Sequence, residues 1–151
     1  MSRILFGILL ISVALIQATI LPRVNPFPVS PDFVLVFLFV WSASRSVRES
    51  LFWVLFSGIL LDVLALDSFG TNALSLAIVA LLAGLARQRV LHDNILIPIA
   101  LVTLSTVIHA VILASLRGTF PAGWFIPLQA LVHALLMPVI YFILRVFGRL
   151  R

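Results

Sequence analysis

Apolar residues in this chain do not alternate, nor do they recur once per helical turn; they come in six near-continuous runs, at residues 4–21, 32–44, 50–66, 72–86, 95–116 and 125–147. Uniformly apolar runs of this length, without a polar face, are helices immersed in an apolar surrounding. The interruptions are where helices should stop. Pro22 opens a stretch with Pro26, Pro28 and Pro31 that cannot continue a helix and is expected to close the first run. Asp67-Ser68-Phe69-Gly70-Thr71 reads as a tight turn, with Gly70 available for positive φ. That turn makes the third and fourth runs antiparallel neighbours. The second run is short for a bilayer, which needs about 20 helical residues, so it is expected to borrow flanking residues or sit in thinned lipid. Pro138 is expected to kink the sixth.

Composition turns this pattern into a membrane reading. Of 151 residues, 63% are hydrophobic and 10% charged, with a mean hydropathy of +1.27. A soluble domain of this size cannot hide so much apolar surface. The fold class expected is all-α: a polytopic six-helix transmembrane bundle forming a single domain over residues 1–151. The first run lacks a clear small-x-small cleavage site and is read as retained, not as a signal peptide. With no cysteine, disulfides, thiolate metal sites and cysteine nucleophiles are excluded.

The net charge of +5 comes with ten basic residues that are all arginine. They lie almost entirely between the apolar runs and form no dense cluster, so they anchor helices at a membrane surface and do not point to nucleic acid. Their distribution orients the chain. Arg3, Arg45, Arg48, Arg87, Arg89, Arg145, Arg149 and Arg151 fall on one side of six spans, and only Arg23 and Arg117 on the other. The positive-inside rule therefore places both termini of a multi-pass membrane protein in the cytoplasm, with Trp124 at the outer interface.

Ionisable groups inside lipid cost several kcal/mol unless paired or hydrated, so each is a candidate site residue. Counting residues along each span puts Asp62, His109 and His133 in one outer-leaflet layer with Gln17 and Gln129. The reading favoured is structural, with Asp62 paired to His109 or His133 across helices. On that reading Asp62→Asn is mild and Asp62→Leu alone lowers stability. The alternative is a small-molecule site, proton relay or partner-binding notch. Gly58 lies one turn before Asp62, on the same helical face, and would let a facing helix approach. No P-loop, H-E-x-x-H or G-x-S-x-G motif occurs, Glu49 and Asp62 are too far apart to act as a carboxylate pair, and His92-Asp93 lacks a third ligand. No enzyme activity, cofactor or metal is expected.

Two stretches carry a family resemblance. Gly58-Ile59-Leu60-Leu61-Asp62 is followed eight residues later by Gly70 and then Thr71-Asn72-Ala73-Leu74, and Pro31-Asp32-Phe33 opens Val34-Leu35-Val36-Phe37-Leu38. Together they resemble the MreD family of bacterial rod-shape-determining proteins, whose characteristic carboxylate and turn glycine correspond to Asp62 and Gly70. The resemblance implies a non-catalytic membrane subunit of the cell-elongation machinery. Its implied partners are the single-span protein MreC and, through it, the actin homologue MreB, a cell-wall glycosyltransferase and a transpeptidase. It also implies a bundle similar to the substrate-binding S component of energy-coupling-factor vitamin transporters, which supplies the alternative function of a solute-binding subunit.

Overall fold

The computed structural model describes residues 3–24, 30–90, 96–119 and 123–148, with side chains described except at 85–90 and 147–148. Six helices run through it: α1 (Arg3–Val24), α2 (Phe33–Ser44), α3 (Val47–Ala65), α4 (Thr71–Val90), α5 (Leu96–Arg117) and α6 (Phe125–Gly148). No strand occurs among the described residues. Three helices, Arg3–Val24, Leu96–Arg117 and the Phe125–Val146 part of α6, are long and apolar enough to cross a membrane. Helix α3 has similar length but carries Arg48, Glu49 and Asp62.

Helix α1 corrects the expectation that Pro22 ends the first run. The helix continues to Val24, and Ile16–Ile20 is wound as a π-helix in which the Leu21 N–H reaches the Ile16 carbonyl. Proline has no N–H to return to the carbonyl four residues back, and a widened turn before it accommodates that loss.

Helix α2 is the centre of the bundle. Its 12 residues rise only about 18 Å, and Val34 through Ala43 are all buried. It packs against every other helix, most extensively α4 and α6. This short helix is enclosed by protein along Val34–Ala43. At its carboxyl end Phe6 of α1 stacks on Trp41 at 3.7 Å between ring centroids, and Trp53 of α3 meets Phe6 edge-on at 5.2 Å. Gly7 makes room for that indole, since a Cβ there would lie 2.8 Å from Trp53.

The outer surface is apolar. Leu131, Leu135, Val139, Phe142 and Val146 form an exposed stripe down α6, and Phe52, Phe56, Ile59 and Val63 form one down α3. The interior holds Ser57, Ser75, Ser105, Thr106 and five alanines of α4, α5 and α6 alongside large side chains. Large apolar groups outside and small or polar groups inside are the distribution of a lipid-solvated bundle. Of these, the hydroxyls of Ser57, Ser75 and Thr106 return to carbonyls three or four residues back.

The arginines expected at one surface come together at one end. Arg3 meets Glu49 at 3.2 Å, which ties the start of α1 to the start of α3. Arg45 lies over the Trp41 ring at 4.7 Å, Arg48 is exposed beside Arg3, and Arg145 is exposed near the end of α6. Arg87 and Arg89 ride on the last turns of α4, beyond Gly84, which adjoins Val47 at that same end. Arg149 and Arg151 lie outside the described residues, as do His92 and Asp93. Arg23 and Arg117 are at the opposite end, with the α3–α4 turn.

Candidate functional site

A helix that begins inside an apolar bundle exposes backbone N–H groups that water cannot reach, so side chains must receive them. Two helices here start in that situation, and Gln17, Asp32, Asp62, Asn72, His109 and His133 are gathered at those two starts.

The first is the start of α2. Asp32 is its N-cap, accepting the Leu35 N–H on Oδ1 at 2.9 Å. Gln17, from the π-helical part of α1, accepts the Val34 N–H on Oε1 and donates from Nε2 to Asp32 Oδ1, both at 2.9 Å. The Asp32 N–H donates to His133 Nε2 of α6 at 2.7 Å. A nitrogen that accepts there carries no proton, so the His133 proton is on Nδ1, which faces Thr106 Oγ1 of α5 at 2.8 Å. The threonine hydroxyl passes its own hydrogen to the Val102 carbonyl. The relay is closed at both ends, and His133 is fully buried in it.

Asp32 Oδ2 faces a different residue. His109 Nε2 of α5 lies 3.3 Å from it, at ion-pair distance but off hydrogen-bond direction. His109 Nδ1 has no hydrogen-bond partner among the described residues, although the side chain is only 3% exposed.

The second is the start of α4. Asp62, one turn before the end of α3, accepts the Gly70 N–H on Oδ2 and both the Asn72 N–H and Asn72 Nδ2 on Oδ1, each at 2.8 Å. One carboxylate thus receives three donors at the start of the next helix, where the helix dipole also favours negative charge. The approach that makes this possible is set by Gly58: a Cβ at that position would lie 2.3 Å from the Ala73 Cα. Between the helices the chain turns through Leu66 at φ 55° and Gly70 at φ 92°. The Leu66 N–H caps the carbonyls of Asp62 and Val63. Asn72 Nδ2 also reaches Asp67 Oδ2 at 3.3 Å, and Asp67 pairs with Arg117 at the end of α5.

This geometry corrects the pairing expected from depth. Asp62 meets neither His109 nor His133; both histidines converge on Asp32, with Gln17. Gly58, Asp62 and Gly70 instead form one unit that joins α3 to α4. Asp32 was legible as the opening of an apolar run in Pro31-Asp32-Phe33, an N-cap signal, but nothing in its neighbourhood marks it as the carboxylate at which three other helices meet. Asn72 and Thr106 were missed for the same reason.

The two clusters border one cavity of about 450 Å³, with Gln17, Asp32, Asn72, His109, Arg117 and Gln129 in its wall. Gln129 reaches the Ser30 carbonyl at 3.4 Å. Among the described residues no group of three or more histidine or acidic side chains is placed to hold a metal ion, and His133, committed to a main-chain N–H and a threonine, has no lone pair left to offer one.

Compared with known proteins, the chain matches the family described as rod shape-determining protein MreD over residues 1–150. No curated protein and no solved structure matches it. A match over essentially the whole chain, on a helical bundle with an apolar exterior, has one consequence: the chain belongs to the MreD family of rod-shape-determining membrane proteins.

Proposed function

We propose that this protein is a non-catalytic, multi-pass subunit of the cell-elongation complex of the bacterial inner membrane. In that role it binds MreC and helps organise lateral peptidoglycan synthesis, reaching MreB, a glycosyltransferase and a transpeptidase through that partner. The observation that carries the reading is the family match over residues 1–150. The fold adds a surface suited to a single-span partner. An apolar cleft of about 510 Å³ lies between Leu9 and Val13 of α1 and Ile140 and Leu144 of α6, floored by Phe33 and Phe37 of α2. An extended apolar cleft of this kind receives a helix by close packing, the main source of helix association in lipid.

The polar residues support the same reading. Both oxygens of Asp62 are engaged in capping, so its chemistry is spent on holding the bundle and not on a substrate bond. Affinity purification in mild detergent tests the proposal: one single-span protein with a large extramembrane part is expected to co-purify, and its absence under conditions that preserve the bundle would overturn the assignment.

The orientation proposed is six spans with both termini cytoplasmic, supported by the collection of arginines at one end. Reporter fusions after residues 46, 90 and 151 are expected to read cytoplasm, and fusions near 28, 69 and 120 the outside. An external carboxyl terminus would sink this topology.

A further inference from the structure

The helices around α2 form an incomplete ring. Each packs on α2, and along the ring α1 packs on α3, α3 on α4, α4 on α5 and α5 on α6, but α6 does not return to form a packed pair with α1. Helices are cylinders of similar width lying about 8–10 Å apart, so one of them accommodates about six neighbours around its circumference. Five of those places around α2 are filled. The sixth is the sector between α1 and α6, and the apolar cleft of about 510 Å³ lies in it.

The cleft is built from helical ridges. Leu5, Leu9, Val13 and Ile16 follow one another along one face of α1, and Ile140 and Leu144, one turn apart, face them from α6 with Ile143. Ridges at this spacing are what the side chains of a further helix interlock with. From Leu5 to Ile16 the wall rises about 16 Å, or three turns. Of α2 only Phe33 and the edge of Phe37 show at the floor. Phe37 also stacks on Phe6 at 5.2 Å between ring centroids, so the α1–α2 interface continues directly into the cleft. Every side chain in its wall is apolar.

Resting on the reading of this protein as a subunit that binds a single-span partner, we propose that one membrane-spanning helix of that partner takes the sixth place around α2. Its contact face is wholly apolar over about three turns and carries large side chains that reach down to Phe33 and Phe37. A polar group on that face would be buried with nothing in the wall to answer it. Small side chains would leave the cleft unfilled, and close packing is the main source of helix association in lipid. The place is confined by α1 and α6 on either side, which suits a helix that arrives unaccompanied. A helix from a second copy of this chain brings its own packed neighbours with it.

The test is site-specific crosslinking in the native membrane, with the full-length protein carrying a photoreactive residue at one position at a time. Leu9 and Ile143 probe the cleft; Ile59 of α3 and Leu81 of α4 are exposed on helices that do not border it. The cleft positions are expected to capture the membrane segment of one single-span protein about tenfold or more strongly than the two controls. Val13→Trp fills the cleft from the α1 wall. It is expected to lower co-purification of that protein about tenfold or more, while Tm of the isolated protein is unchanged or raised because the indole covers apolar surface the parent leaves open. Ile143→Trp does the same from the opposite wall, and it carries this arm if Val13→Trp fails to give a monodisperse helical protein.

Full retention of the partner by the tryptophan variants, or equal capture from Ile59 and Leu81, would overturn the inference and leave the single-span reading intact. Capture at Leu9 and Ile143 of lipid alone, or of a second copy of this chain, would overturn it as well. If no single-span protein co-purifies with the parent, the inference and the reading it rests on both fall.

Discussion

Asp62 shows how far a single side chain can depart from the role its setting suggests. Read along the sequence it is a carboxylate in lipid in want of a cation; in the fold it receives the N–H groups of Gly70 and Asn72 and the Asn72 amide. Two of these donors are main chain, so no compensating substitution removes them. Asp62→Asn, which looked mild when a histidine was the expected partner, therefore replaces an acceptor by a donor at a site that offers only donors. It is expected to cost about 1–3 kcal/mol in reversible unfolding in detergent, and Asp62→Leu more. An unchanged midpoint for Asp62→Asn would show that water enters the turn. Gln17 gives the corresponding contrast in α1. Gln17→Leu orphans the Val34 N–H and is expected to cost about 1–3 kcal/mol. Thr19→Ala, at an exposed hydroxyl that only returns to Leu15, is expected to shift stability by less than about 0.5 kcal/mol.

Among the elements, the α3–α4 hairpin is the one whose sequence signature and structure coincide. The spacing Gly58, Asp62, Gly70 is a close approach, a cap and a turn, in that order along the chain. Gly58→Ala is expected to force the Ala73 backbone away, with a cost of about 1–3 kcal/mol from overpacking and partial loss of the Asp62 caps. Hydrogen exchange at the Gly70 and Asn72 amides should rise in parallel. A variant that unfolds like the parent, with those amides still protected, would mean the helices separate freely. The turn also holds a correctable strain: Leu66 is left-handed and almost fully exposed. Leu66→Gly is expected to stabilise by on the order of 0.5–1 kcal/mol, read as a rise in Tm. Helix boundaries elsewhere were legible to within a few residues where a cap marks them, as Ser46 does for α3. They were not legible at Pro22, because a π-turn lets α1 pass a proline.

For the whole molecule, the gathering of arginines at one end is a property of the assembled bundle. Changing Arg45, Arg48, Arg145, Arg149 and Arg151 together to Gln is expected to disturb insertion or association with acidic lipid while leaving helix content intact, as read by circular dichroism and lipid co-purification. Unchanged topology and lipid content would mean these residues are merely solvated. The central position of α2 is likewise a property of the assembly. Its segment Phe33–Ser44 is the most apolar of the helices, but a helix facing lipid can be equally apolar, so composition alone does not separate enclosure by protein from enclosure by lipid.

Six apolar runs, the stops other than Pro22, the placing of most arginines in alternate inter-run segments and the Gly58–Asp62–Gly70 spacing follow from sequence alone, because chain-local physics governs them: helix length against bilayer thickness and the cost of charge in lipid. Which helix is enclosed, and which carboxylate meets which histidine, was decided only by the tertiary structure. Lipid and protein interior are both apolar, so a helix facing either carries the same residues and no periodicity to separate them. Depth can be counted along a span at 1.5 Å per residue, but the direction around the helix axis in which a buried side chain finds its partner is set by packing. That is why Asp32, at the mouth of the second run, and not Asp62 holds His109 and His133.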